Sequence, residues 1–246
     1  MQSTLPASCI LRASYLTKRF EGGDRNFCLR VPSLEIEAGS VNTIIGRSGC
    51  GKSTLLDMLG LISVPSSARD FSILPKAGKW VNLRKASHWR KARIRRKSLG
   101  YILQTGGLLP YLNVENNITL TLSLCRGPRQ AAEELMERLE IASLRSHYPA
   151  QLSAGQRQRV AIARALVHRP DIILADEPTG ALDPETARIV RDILVENARQ
   201  SGAAVIIVTH DAELFLPSAD RSYGFDVSST GIEVTSWLKL LQGGGK

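Results

Sequence analysis

Residues 46–53 read GRSGCGKS, between an apolar, β-branched run at residues 41–45 and a helix-compatible run at residues 54–61. The pattern predicts a buried strand, a glycine-rich turn and a helix in succession. In that arrangement the backbone N–H groups of the turn converge on one point, and glycine keeps side chains out of it. Lys52 can then reach the β- and γ-phosphates of a nucleotide, and the Ser53 hydroxyl can ligate Mg²⁺. The stretch therefore predicts a phosphate-binding loop.

The loop and the first residue beyond it supply a set of candidate phosphate contacts. They are Gly46, Arg47, Ser48, Gly49, Cys50, Gly51, Lys52, Ser53 and Thr54. Within this set, Cys50 lies beside helix N-terminal amides and Lys52, a setting that favours the reactive thiolate. The alternative is that Cys50 is only a small side chain that fits the loop.

Size and composition fit a globular chain with a substantial core, since 43% of its 246 residues are hydrophobic. No apolar run approaches the roughly 20 residues that span a bilayer. The N-terminus lacks a basic region followed by an apolar stretch and so does not resemble a secretory signal. The four cysteines include no Cys-x-x-Cys pair, which argues against a zinc site or a disulfide framework. We therefore expect a cytosolic protein.

The formal net charge is +9, and much of it lies within residues 84–97. The cations of this segment are Arg84, Lys85, Arg90, Lys91, Arg93, Arg95, Arg96 and Lys97. Such a patch could face nucleic acid or an anionic membrane surface. The alternative is a solvated basic helix. His88 and Trp89 interrupt the run without forming a base-stacking platform, so we expect no nucleic-acid partner.

The first third of the chain predicts antiparallel strands. Residues 9–37 carry alternating segments around a turn at residues 21–26, which is typical of an antiparallel sheet that leads into the phosphate loop. Residues 65–78 are rich in turn formers and predict a loop or a short hairpin. Residues 101–104 close a short strand.

Later segments predict helices and buried strands. Helical spacing is present at residues 129–147, where Leu135, Leu139 and Ile141 would share a buried stripe, and also at 156–168 and 184–200. Unbroken apolar runs at residues 172–175 and 203–208 predict parallel strands buried on both faces, and short strand-like pieces follow Tyr223. The order predicts an α/β architecture. Its core would hold residues 1–104 and 155–246, with residues 105–154 as a helical insertion.

Polar side chains follow the predicted parallel strands. Asp176 and Glu177 come directly after one of them, and ligands of open α/β sheets bind at that edge. Asp176 can hold Mg²⁺ through its waters, and Glu177 can polarise an attacking water. His210, after the next strand, can donate a hydrogen bond to the γ-phosphate. Gln104 follows another strand and can reach both the metal and the water.

Residues 152–156 read LSAGQ and directly precede an arginine-rich helix. Ser153 and Gly155 would lie at the helix N-terminus, which is a natural anion site. Together with the phosphate loop and the strand ends, this motif resembles the ATP-binding-cassette (ABC) ATPases over essentially the whole chain. In that family the motif is LSGGQ. Here Ala154 takes its third position, while Ser153, Gly155 and Gln156 are kept.

The resemblance implies a P-loop NTPase core with a mainly parallel central sheet, an antiparallel N-terminal β subdomain and an inserted helical subdomain. It also implies ATP and Mg²⁺. The implied catalytic residues are Glu177, His210, Gln104 and Lys52, and the implied metal ligands are Ser53, Gln104 and Asp176. An aromatic residue usually stacks on adenine upstream of the phosphate loop; Phe20 occupies that place, and Tyr15 is the competing candidate.

The family also implies partners. Ser153, Gly155 and Gln156 of one subunit would cover the ATP of another, with Asp183 in a loop nearby, so that ATP binding forms a homodimer. Residues 103–120 and 175–187 are similar to the ATPase subunits of lipoprotein-releasing and macrolide-exporter systems. Those subunits drive separate transmembrane permease subunits from the cytoplasmic face of the inner membrane.

A set of apolar residues follows Gln104 and would suit a groove for a permease helix. It comprises Leu108, Leu109, Tyr111 and Leu112. The alternative is that they pack the insertion's own core.

Three other functions remain open from the sequence. Importer ATPases share much of the subgroup pattern. A soluble ABC ATPase acting on nucleic acid or ribosomes would use the basic segment at residues 84–97. A small-molecule phosphotransferase would use the phosphate loop but would have no need of LSAGQ.

Overall fold

The computed structural model describes residues 8–22, 26–76, 78–125 and 127–242. The strands in these ranges are β1 (Cys9–Phe20), β2 (Asn26–Glu37), β3 (Val41–Ile45), β4 (Asp70–Ile73), β5 (Val81–Asn82), β6 (Leu99–Ile102), β7 (Ile172–Asp176), β8 (Ala204–Thr209), β9 (Arg221–Thr230) and β10 (Glu233–Gln242). The helices are α1 (Lys52–Leu59), α2 (His88–Ser98), α3 (Val114–Cys125), α4 (Gln130–Arg138), α5 (Ala154–Leu166), α6 (Pro184–Ser201) and α7 (Ala212–Phe215). The strands form one sheet in the order β5-β4-β1-β2-β10-β9-β3-β8-β7-β6.

The second half of the sheet is parallel. β3 pairs in parallel with β8, β8 with β7, and β7 with β6. Every residue of β7 and β8 is buried, because helices cover both faces of a parallel sheet and continuous apolar runs suit that position. The strand predicted at residues 41–45 is confirmed, and the two later apolar runs form strands within one residue of the predicted bounds. The carboxyl ends of these strands therefore meet at one edge.

The first half of the sheet is antiparallel, as predicted from residues 9–37. β1 pairs with β2 along its whole length, from Cys9 opposite Glu37 to Phe20 opposite Phe27. These strands do not form a sheet of their own, however. β10 pairs in parallel with β2 and antiparallel with β9, and β9 pairs in parallel with β3. The antiparallel and parallel halves are thus continuous.

The prediction of short strand pieces after Tyr223 was wrong, because β9 and β10 are ten residues long each. They form a hairpin whose tight turn places Gly231 at φ 59°, a backbone conformation that glycine adopts without strain. Residues 65–78 contain β4, which pairs with β1 and with β5. Of the two alternatives for this segment, the short hairpin is the one observed.

Three segments begin or end at residues other than those predicted from the sequence. The helix predicted at residues 129–147 stops at Arg138, because Glu140 takes a left-handed φ of 55° and turns the chain. Leu139 and Ile141 are buried, but they belong to this turn and not to the helix. α5 starts two residues before the predicted bound. β6 ends at Ile102, so the strand does not extend to Gln104.

The segment at residues 105–154 contains α3 and α4, and α5 packs against both. The preceding loop has a fixed shape because Asn117 is fully buried and anchors it. The Asn117 Oδ1 accepts from Leu109 N (2.8 Å), and its Nδ2 donates to the carbonyl oxygens of Leu109 (3.1 Å) and Leu112 (2.8 Å). The division of the chain at residues 105 and 154 stays a prediction. In the described ranges no helix has both the length and the apolar character to cross a membrane.

Close packing of β6 on α5 yields a stability prediction. A Cβ at Gly100 would overlap the carbonyl oxygen of Ala165 and lie 3.1 Å from Pro170 Cγ. We expect Gly100→Ala to lower the free energy of unfolding by about 1–3 kcal/mol, the usual cost of overpacking. Denaturant unfolding measures it. Gly78→Ala is the matched control, because a Cβ there has no neighbour nearer than 3.8 Å. Equal stability of the two variants would contradict the close approach.

Candidate functional site

A cleft of about 560 Å³ opens at the carboxyl edge of the parallel strands. It is lined by Phe20, Phe27, Ser48, Gly49, Gly51, Lys52, Ser53, Thr54, Gln104, Asp176, Glu177 and His210. Most of the predicted cleft residues are thus brought together from distant parts of the chain. Gly46, Arg47 and Cys50 belong to the same loop without lining the cleft.

The phosphate loop has a shape that needs glycine. Gly49 (φ 79°) and Gly51 (φ 102°) are left-handed, and a Cβ at Gly51 would lie 3.1 Å from the ring of Phe27. α1 begins directly afterwards at Lys52. The Lys52 Nζ donates to the carbonyl oxygens of Gly46 (2.7 Å) and Arg47 (3.2 Å). Its ammonium group therefore lies within the loop, next to the position that phosphates would take.

Cys50 does not have the environment of a reactive thiolate. Its side chain is 4% exposed, and its Sγ is the nearest atom to a Cβ built at Gly46. Burial raises the pKa of the Cys50 thiol and outweighs the opposing effect of Lys52. Of the two alternatives for Cys50, burial favours the small side chain that fits the loop over the reactive thiolate.

A buried hydrogen bond fixes the loop backbone from the far end of the chain. The Ser236 Oγ, on β10, donates to the Cys50 carbonyl oxygen at 2.6 Å. Ser236 is fully buried. Sequence reasoning missed this residue, because nothing local to β10 marks a contact with residues 46–53.

The predicted metal ligands provide oxygen donors of the kind that Mg²⁺ prefers. Ser53, Gln104 and Asp176 line the same cleft. Burial raises the pKa of Asp176, while the neighbouring Ser53 side chain and Lys52 act in the opposite direction. A carboxylate destabilised by burial gains from a nearby cation, so the donor set fits a hydrated magnesium ion.

Glu177 and His210 form a contact between the ends of β7 and β8. The Glu177 Oε2 lies 2.8 Å from the His210 Nδ1 and accepts from the His210 backbone N–H at 3.2 Å. Glu177 takes a φ of 47°, which is strained for a residue with a side chain. Its N–H donates to the Val208 carbonyl oxygen at 2.9 Å, and this hydrogen bond holds the turn. The Glu177 side chain is 10% exposed and that of His210 is 72% exposed.

The segment after β6 is tied to α5. Gly106 and Gly107 are left-handed, and their carbonyl oxygens accept from Arg164 at 2.9 and 2.8 Å. Gln104 is exposed and precedes these glycines. Arg164, which sequence reasoning did not single out, therefore connects the loop that carries Gln104 with the helix that begins at LSAGQ.

Aromatic side chains form the other end of the cleft. Phe20 lies opposite Phe27 across the β1–β2 hairpin, with ring centroids 6.3 Å apart. The Lys18 Nζ lies 5.3 Å from the Phe20 ring centroid. Tyr15 is 62% exposed and does not line the cleft. Phe27 was not identified from the sequence. It could have been found from the predicted hairpin, because pairing of the two strands around the turn places Phe27 opposite Phe20.

The LSAGQ residues lie outside the cleft of their own chain. Ser153 caps α5: its Oγ accepts from Gln156 N (3.2 Å), and Gln156 Oε1 accepts from Ser153 N (2.8 Å). Ser153 is exposed and Gly155 is half-buried. Asp183 caps α6 in the same manner, through Glu185 N and Thr186 N, and the hydrogen bond with Thr186 lowers the pKa of Asp183.

The fold and the cleft together define a nucleotide-binding ATPase cassette, and comparisons with known proteins agree. The family model described as ABC transporter matches residues 29–180. The lipoprotein-releasing system ATP-binding protein LolD of Bordetella pertussis is 43% identical over 217 residues, or 86% of this chain and 90% of LolD. The methionine import ATP-binding protein MetN of Cupriavidus metallidurans is 39% identical over 211 residues, or 84% of this chain and 59% of MetN.

A solved structure is similar along almost the whole length. It is the dimeric post-hydrolysis state of the ATP-binding cassette MJ0796 bound to ADP and Pi, with 31% identity and a TM-score of 0.80. The match covers 95% of this chain and 100% of that chain. The chain belongs to the ABC transporter family, and the resemblance read from its motifs is confirmed.

The aromatic end of the cleft yields a binding prediction. We expect Phe20→Ala to weaken ATP binding by about 1–3 kcal/mol, the range for losing one base–aromatic stack. Tyr15→Ala is the matched control and should leave the affinity unchanged, because Tyr15 lies outside the cleft. Equilibrium titration with a non-hydrolysable ATP analogue measures both. A loss of affinity in Tyr15→Ala alone would reverse the assignment.

Proposed function

We propose that this ATPase works as a head-to-tail homodimer that drives separate transmembrane permease subunits, in lipoprotein release or substrate export. It would act from the cytoplasmic face of the inner membrane. The observation that carries the proposal is the position of LSAGQ: this capped helix N-terminus is exposed and separate from the cleft of its own chain. A second copy can therefore place it over the nucleotide. The dimer described for MJ0796 and the name of the LolD relative support the proposal.

The cleft residues would divide the reaction among them. Lys52 exchanges the carbonyl oxygens of Gly46 and Arg47 for the β- and γ-phosphates, together with the loop N–H groups. Glu177, held between the ends of two strands, accepts a proton from the attacking water. His210 contacts Glu177 through Nδ1, which leaves Nε2 available for a hydrogen bond to the γ-phosphate.

Gln104 orients the attacking water and contributes to the metal site. Ser53, Gln104 and Asp176 would hold Mg²⁺, which when bound supplies positive charge that stabilises the phosphate oxygens. Because the loop after Gln104 is held by Arg164 of α5, loss of the γ-phosphate can be transmitted to the helix that begins at LSAGQ.

A groove of about 440 Å³ on α3 is the proposed permease contact. Its apolar lining includes Leu112, Leu120 and Leu122. Of the four apolar residues expected to suit a permease helix, Tyr111 is 71% exposed, whereas Leu108, Leu109 and Leu112 are half-buried. Leu108 packs against the core. The half-buried leucines favour the alternative that they pack the insertion's own core, whereas Tyr111 is accessible to a permease helix.

Trapping ATP in the dimer tests the shared site. Glu177→Gln keeps the shape of the side chain but removes the proton acceptor, so hydrolysis should fall by about 10²–10⁴-fold. Bound ATP should then hold two chains together, and size-exclusion chromatography should show a doubled mass with ATP but not with ADP. Adding Ser153→Arg should return the protein to a monomer, because the bulky side chain displaces the helix N-terminus from the partner's phosphate.

The control for this experiment is Lys52→Ala in the Glu177→Gln background, which should remove the ATP-dependent mass increase by removing ATP binding. Persistence of the ATP dimer after Ser153→Arg would contradict the head-to-tail arrangement.

Co-purification tests the partner. A tagged chain extracted from membranes with mild detergent should bring down transmembrane permease subunits, and Tyr111→Asp should reduce their yield without changing ATP binding. Mass spectrometry of the bound proteins distinguishes exporter from importer permeases. Recovery of ribosomes or nucleic acid instead of membrane proteins would contradict the proposal.

A further inference from the structure

A second cleft, of about 760 Å³, runs along α2 and is closed on its other side by Pro75, Lys76, Gly78, Lys79 and Val81. It reaches Asp171, which directly precedes β7, whereas Asp176 ends the same strand in the nucleotide cleft. The two clefts are therefore at opposite ends of β7. The basic lining of the second cleft consists of Lys76, Lys79, Arg90, Arg93 and Lys97.

Most of these cations have no acidic partner. Lys79, Arg90, Arg93 and Lys97 form no salt bridge with any carboxylate in the part of the chain that the structure describes. The only carboxylate in the lining is Asp171, whose Oδ2 accepts from the Lys76 backbone N–H at 3.4 Å. The cleft thus presents a surplus of positive charge to an anion.

One of the basic residues, Arg90, lies at the unfavourable end of α2, whereas Lys97 lies in the last turn. Ser87 caps the helix, its first turn contains no acidic residue, and Arg90 lies in that turn. A helix N-terminus carries a partial positive charge, which disfavours cations and favours anions. Helix stability alone would select Asp or Glu in this first turn. An anion in the cleft would be attracted by the helix end and by the side chains together.

The location of α2 indicates the kind of anion. α2 packs against β6 and α3, and the Cys125 Sγ donates to the Arg96 carbonyl oxygen at 3.0 Å. The basic helix therefore lies beside α3, which carries the groove proposed for the permease. Trp89, in the lining of the basic cleft, is 88% exposed. Exposed tryptophan beside lysine and arginine is typical of surfaces at the membrane–water interface.

We propose that α2 and the basic cleft bind the phosphate headgroups of anionic phospholipids in the membrane next to the permease. This proposal rests on the proposed function for the side of the molecule that faces the membrane. The contact fixes the orientation of the ATPase against the bilayer through charge, while the groove on α3 contacts the permease itself.

Vesicle flotation of the purified chain tests this proposal without any permease. The chain should float with vesicles of equimolar phosphatidylcholine and phosphatidylglycerol, should not float with phosphatidylcholine alone, and should be released by high salt. Replacing Arg90, Arg93 and Lys97 by Gln should weaken binding on the order of 100-fold, from about one kcal/mol for each cation near the surface. ATP turnover in solution should be unchanged, because these residues lie outside the nucleotide cleft.

The matched control replaces Arg138, Arg191 and Lys239 by Gln, which removes the same number of positive charges from residues that form salt bridges elsewhere on the surface. This variant should bind the anionic vesicles like the unaltered chain. Tryptophan fluorescence gives a second readout: anionic vesicles should shift the emission to shorter wavelength, and Trp89→Phe should abolish the shift.

Equal flotation with neutral and anionic vesicles, or equal weakening by the two triple variants, would overturn the proposal. Binding to duplex DNA in place of anionic vesicles would assign the cleft to nucleic acid and would also overturn it. A failed co-purification of permease in detergent bears on the proposed function instead, because it involves no bilayer.

Discussion

Parallel hydrogen bonding of β3, β8, β7 and β6 is the constraint on which the active site depends. Each strand ends at the same edge of the sheet, so the groups that follow it converge although they are far apart in sequence. The phosphate loop follows β3, Glu177 follows β7, and His210 follows β8. The hydrogen bond from Glu177 N to the Val208 carbonyl oxygen continues the pairing one residue beyond β7. The sheet therefore aligns Asp176 and Glu177 with the phosphate loop.

The nucleotide cleft keeps several groups in costly states. Glu177 has a left-handed backbone, burial disfavours the charge on Asp176, and the Lys52 ammonium group donates to carbonyl oxygens of its own loop. A phosphate would give the Lys52 ammonium group a charged partner, and a cation would favour the charge on Asp176. Buried strands on either side keep these groups from relaxing, so the strain is retained for function. The capped N-termini of α5 and α6 differ from the cleft, because their polar groups already have hydrogen-bond partners within the chain.

The parts of this molecule that could be predicted from sequence are those that local patterns determine. A few adjacent residues determine the phosphate loop, the position of Asp176 and Glu177, and the helix caps at Ser153 and Asp183. The length and place of β9 and β10 could not be predicted, because they depend on pairing with strands from the other end of the chain. Phe27 and Ser236 were missed for the same reason. The choice between the two alternatives for Cys50 also needed the structure, because it depends on how deeply the side chain is buried.

The hydrogen bond from Ser236 to the Cys50 carbonyl oxygen has a consequence for protein synthesis. The two residues are 186 positions apart, so the ribosome makes the phosphate loop long before its anchoring hydroxyl. β10 also pairs with β2 and β9, and these two neighbouring strands, β10 and β9, join the two halves of the sheet. A nascent chain that still lacks β10 has every residue of the loop but not the contact that fixes it. We therefore expect the phosphate loop to reach its fixed shape only after the ribosome has made Ser236, well after it has made the loop itself.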